Sequence, residues 1–248
     1  MELVLGTILL RPYVFGFLLA FLAAARADLG WPRTLAFMGS VWPVAWVAEF
    51  ASTRVGLPFG LYHYTESTRG RELYVANVPF FDSLSFVFLA YAAFGVARLV
   101  LRRGRGGMSR PRLALAAGVL MMLLDVVIDP LAVRGDRWFL GRVFYYPEGG
   151  VYFGVPLSNF AGWVVVGAVG VGTYLVLTGP PGEGRPWPGL ALYYAVLAFN
   201  LIVTIWIDEW VLAAAGIALH ALVGAALVVR GRRDPGGARL ERKELQGA

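Results

Sequence analysis

Cysteine is absent from all 248 residues, which excludes disulfides, thiolate nucleophiles, zinc thiolates and iron–sulfur clusters. There are only two histidines, His63 and His220, too far apart in sequence to form a metal signature. No Gly-rich phosphate loop, dinucleotide fingerprint or zinc motif is present. Redox chemistry with a tightly held cofactor is therefore not expected, and neither cofactor nor metal is assigned. Charge is also scarce. Charged residues make up 15% of the chain and hydrophobic ones 58%, against about a quarter and about half in soluble domains. The expectation is an all-α, polytopic transmembrane helical bundle in the cell membrane. One helical domain covers 1–230, and a polar tail without folded structure covers 231–248. The formal net charge of +6 does not point to nucleic acid. The arginines flank apolar runs, where they orient a membrane protein and meet anionic lipid of the bilayer. Arg11 interrupts the first apolar run, so no cleavable signal peptide is expected.

A helix needs roughly 20 apolar residues to cross a bilayer. Seven candidate spans meet this at about 7–25, 35–53, 81–101, 113–132, 154–178, 189–207 and 210–229. Arg11-Pro12 breaks the first, which would then start at Pro12. The alternative is six spans with a re-entrant first segment. One helix over 189–229 would be about 60 Å long, twice the hydrocarbon thickness, so a break is expected at Asp208-Glu209. Placing the amino terminus outside puts 15 of the 22 basic residues on the inner side, which predicts an N-out, C-in topology. Both long connections, 54–80 and 133–153, are then outer. Their aromatics predict packed, interfacial loops, whereas 102–111 reads as a flexible charged linker.

Six acids lie inside or at the ends of apolar stretches: Glu49, Asp82, Asp125, Asp129, Asp208 and Glu209. All fall on one side in this topology. A carboxylate in hydrocarbon is costly, so it needs a partner, water or a proton. Trp42, Trp46 and Glu49 share one helix face. They place a carboxyl beside indoles able to stabilise a cation, or else form an interfacial Trp belt with Glu49 paired to Arg54. Asp125 and Asp129 are spaced i, i+4, and two carboxylates this close cannot both be comfortably ionised. The pair could work as acid and base, hold Mg²⁺ with a diphosphate, or pair with Arg134 or Arg137. Asn200, Thr204 and Asp208 form a polar stripe. Asn159 and Trp163 sit just inside the fifth span; both asparagines could line a site or join helices. Asp82 is expected to cap the third span, and His220, beside Gly216 and Gly224, to bond between helices.

Two segments carry a resemblance: GLPFGLYHYTE with ELYVANVP (56–66 and 72–79), and DVVIDPLA with YFGVPLSNFAGW (125–132 and 152–163). Together they resemble the integral-membrane carotenoid biosynthesis proteins that include carotenoid 1′,2′-hydratases. The likeness covers most of 40–165 and departs from the family at FFDSLSF (80–86). It implies a carotenoid substrate, lycopene or γ-carotene-like, and other carotenoid enzymes as partners. Hydration of an acyclic carotenoid end begins with protonation of a trisubstituted alkene, and water then captures the tertiary cation. Asp125 and Asp129 are the expected acid/base pair, with Glu49 as the alternative acid. Trp46, Trp163 and Tyr152 are expected around the cation, Asn159 at the water, and Asn200 and Asp208 along the substrate. A carotene cyclase would use the same proton. A membrane prenyltransferase and a non-enzymatic pigment-binding protein are the more distant alternatives.

Overall fold

The computed structural model of the protein describes residues 2–101, 109–180 and 184–233, with side chains to 229. Most of the expected linker (102–108) and the tail from 234 lie outside the described residues. Helices α1 (Glu2–Leu10), α2 (Pro12–Leu29), α3 (Trp31–Val55), α4 (Phe80–Leu101), α5 (Arg110–Ala132), α6 (Leu157–Thr178), α7 (Trp187–Trp206) and α8 (Trp210–Arg233) follow in order. Seven of them, α2 to α8, are long and apolar enough to cross a membrane. In hydrocarbon a helix satisfies every backbone donor and acceptor within its own segment, so apolar runs of this length fold this way.

The first span begins at Pro12, not at residue 7. Arg11 is non-helical (φ −132°, ψ 52°), and Pro12 takes the first helical position, where its missing N–H costs nothing. The second span starts earlier than residue 35, at Trp31, because Gly30 (φ 77°) turns the chain and Pro32 opens the helix. The expected break between the last two spans falls at Asp208, held at φ 62°. α8 continues to Arg233, into the first residues of the expected tail.

α4 is the central helix, touching every other helix from α2 to α8. Its crossing with α7 is close because both contribute glycine. A Cβ added at Gly95 would sit 2.7 Å from the Gly189 Cα. Gly95→Leu is therefore expected to cost about 1–3 kcal/mol through overpacking, checked by thermal unfolding of the protein in detergent. At the end of the bundle that carries Glu49, Asp82 and Asp129, the two long connections fold over the helices. Four two-residue strands, unforeseen in the sequence, hold them there. β1 (His63–Tyr64) pairs antiparallel with β4 (Phe144–Tyr145), joining the two connections. β2 (Tyr74–Val75) pairs with β3 (Val78–Pro79).

Candidate active site

A cavity lies under these connections, with about 950 Å³ of space not filled by protein atoms, part of it open to the outside. Glu49 from α3, Asp82 from α4 and Asp129 from α5 line it, with Asn159 and Trp163 from α6 and Asn200 from α7. Its walls are otherwise mainly aromatic and aliphatic. Phe86 and Trp163 stack at 4.3 Å between centroids, and Phe59 packs against both. Tyr62, Tyr64, Phe144 and Tyr146 descend from the connections as a second aromatic group. Burial, and then the nearby Glu49, pushes the Tyr62 hydroxyl well above the usual phenol range, and Tyr64 likewise. These phenols are neutral donors at physiological pH.

Asp125 and Asp129 are one helical turn apart at the end of α5, where Pro130 follows. Asn159 bridges them. Its amide nitrogen donates to Asp125 Oδ2 at 2.7 Å and to Asp129 Oδ2 at 2.8 Å. The Trp163 indole N–H adds a longer bond to the same Asp129 oxygen, at 3.3 Å. Asp129 faces the cavity. Asp125 sits behind it, fully buried, and its Oδ1 has no hydrogen-bond partner among the described residues. Arg134 and Arg137 do not reach this pair; both bind Glu209. Glu49 is 4% exposed, and its Oε2 is likewise without a hydrogen-bond partner among the described residues. Arg54 bonds to Asn77 and the Phe50 carbonyl, so the alternative reading, a Glu49–Arg54 pair, does not form.

Not all of the other expected residues reach the cavity. Trp46 packs on Phe50 and donates to the Val75 carbonyl at 3.3 Å. Sharing a helix face with Glu49 did not bring it to the cavity, because the β2–β3 hairpin covers it. Tyr152 lies outside the lining, with its ring against Phe153 and Phe160. Asp208 is exposed in the α7–α8 turn, where the helix break takes it off the stripe begun by Asn200. Asn200 lines the cavity while donating to the Val196 carbonyl, and Thr204 bonds to the Asn200 carbonyl. His220 joins α8 to α7 through Tyr193, as expected.

Asp82, expected as a cap, is instead the third residue of α4 and pairs with Arg11 at 2.8 Å. Arg11 also clasps Glu72 through two nitrogens, at 2.9 and 3.0 Å. The sequence carried one sign of this: a lone arginine inside an apolar run needs a buried partner. It did not say which acid. Among the described residues no three His, Cys, Asp or Glu side chains are grouped to hold a metal ion.

The sequence pattern of the carotenoid biosynthesis protein family matches residues 3–229. Bisanhydrobacterioruberin hydratase of Haloarcula japonica is 30% identical over 123 residues, 50% of this chain and 38% of that relative. This chain thus spans well under two thirds of the relative it matches. No solved structure matches the chain. With seven membrane-length helices and a match over nearly its whole length, the chain is a multi-pass membrane protein that belongs to the carotenoid biosynthesis protein family.

Proposed function

We propose that this protein is a cofactor-independent hydratase that adds water across the terminal C1′,C2′ double bond of an acyclic carotenoid. The observation that carries this reading is the meeting of buried carboxyls and aromatic walls in one cavity at the end of the bundle. A lycopene- or γ-carotene-like end would enter from the bilayer. The Asp125–Asp129 pair delivers a proton to C2′, and the positive charge forms at the tertiary C1′. Aromatic faces of Trp163 and Phe86 stabilise it. Water adds to C1′ and returns a proton to the carboxylate pair, so the acid is restored and the net change is one water added. Two buried carboxyls bridged by one amide hold a single proton more readily than two negative charges.

Capture by water needs a wet side to the cavity. A second, open cleft, lined by Arg134, Arg142, Tyr145 and Tyr146 among others, shares Tyr146 with the first. In the cyclase alternative an internal alkene would take the cation in place of water.

Expression in cells that accumulate an acyclic carotenoid tests the reading. Pigments heavier by one water per reacted end are expected. Pigments of unchanged mass but altered ring content would identify a cyclase, and unchanged pigment would leave a binding protein.

A further inference from the structure

Arg11, Glu72 and Asp82 form a charge cluster that the proposed acid chemistry does not use. Arg11 is 3% exposed and Glu72 fully buried, while Asp82 is 22% exposed and lines the cavity. The guanidinium fork is taken by Glu72, which the Thr68 hydroxyl also binds. Only Nη1 is left for Asp82, at 2.8 Å. One arginine against two carboxylates leaves a formal surplus of one negative charge, and Asp82 is the carboxylate of the pair that meets the cavity. In the same cavity the buried Glu49 Oε2 is without a hydrogen-bond partner among the described residues.

We infer that Asp82 is a fixed anion positioned by Arg11 and Glu72 to face the positive charge that develops on the polyene end. The inference rests on the proposed cation chemistry. An oriented charge stabilises a developing opposite charge and needs no reorganisation as that charge forms. A free carboxylate would bond to the cation or strip a proton from it. Pairing with Arg11 reduces both tendencies and leaves the field. No bond to Asp82 forms or breaks, and the proton still comes from and returns to the Asp125–Asp129 pair.

The test measures binding by the full chain in lipid nanodiscs. The probes are an acyclic polyene ending in a quaternary ammonium group and its neutral hydrocarbon isostere. Wild type is expected to prefer the cationic probe by roughly tenfold or more, the size of one close charge pair. Asp82→Asn should remove most of that preference and leave the neutral probe's affinity unchanged, and Asp82→Glu should restore it. If Asp82→Asn does not accumulate, Glu72→Gln, which neutralises the cluster from behind the cavity wall, should lower the preference as well. A preference undiminished in Asp82→Asn or Glu72→Gln would make the cluster a structural clasp only. No preference in wild type would overturn the cation chemistry together with this inference. Continued hydration of pigment by an Asp82→Asn protein with its cation preference intact would overturn the inference alone.

Discussion

Asp129→Asn is expected to lower turnover by about 10³–10⁴-fold, the upper end of general acid catalysis, because an alkene is a poor base. The protein should remain folded. An asparagine at 129 keeps the side-chain shape, and its carbonyl can still accept from Asn159 and Trp163, which bond to one oxygen of the native carboxylate. Only the ionisable proton is lost. Asp125→Asn should cost less, about 10²-fold, since Asp125 is fully buried behind the cavity wall and acts through Asp129. Turnover is measured by pigment conversion, with thermal unfolding as the check on folding. Glu49→Gln separates the two candidate acids. If it alone is inactive, the proton comes from α3, and the α5 pair supports the site without donating. Near-normal turnover in both Asp variants would contradict the assignment.

The second large effect is expected at Asn159. Asn159→Leu nearly preserves volume but removes the amide that joins the two carboxyls. Leaving a buried polar group unsatisfied costs about 1–3 kcal/mol, and more when the group is charged. The variant should therefore unfold at lower temperature and lose at least about 10² in turnover. Replacing both partners by apolar groups of similar shape can be nearly neutral. Asp125→Leu combined with Asn159→Leu should thus regain much of the stability and none of the activity. That divergence is what a role of the Asp125–Asn159 unit in the chemistry predicts. Parallel recovery of both would make it structural only.

Much of the fold was legible because hydropathy and length alone define a membrane helix. The Arg11-Pro12 break and the chain reversal at Asp208 could be read from one proline and one pair of acids between apolar runs. Other features depend on contacts that periodicity does not carry. Trp46 shares a helix face with Glu49, yet that pattern does not say that a hairpin from 74–79 will cover the indole. Arg11 and Glu72 are 61 residues apart, and only the folded connection brings them together. The strand pair β1–β4 is two residues long, too short to leave an alternating pattern. Tyr62, Tyr64 and Tyr146 looked like loop packing and turn out to line the cavity, since the connections close over the end of the bundle. Within the site, the i, i+4 spacing placed Asp125 and Asp129 side by side. It did not show that Asn159 would bond to both, or that only one of them would face the cavity.

The most direct measurement supplies the purified protein in nanodiscs with an acyclic carotenoid in water enriched in heavy oxygen, followed by mass spectrometry of the pigment. The expected product has gained one water per reacted end, carries the heavy oxygen in a tertiary hydroxyl, and is lost in Asp129→Asn. A product of unchanged mass, or one whose new oxygen does not come from the solvent, would contradict proton-initiated hydration in this cavity.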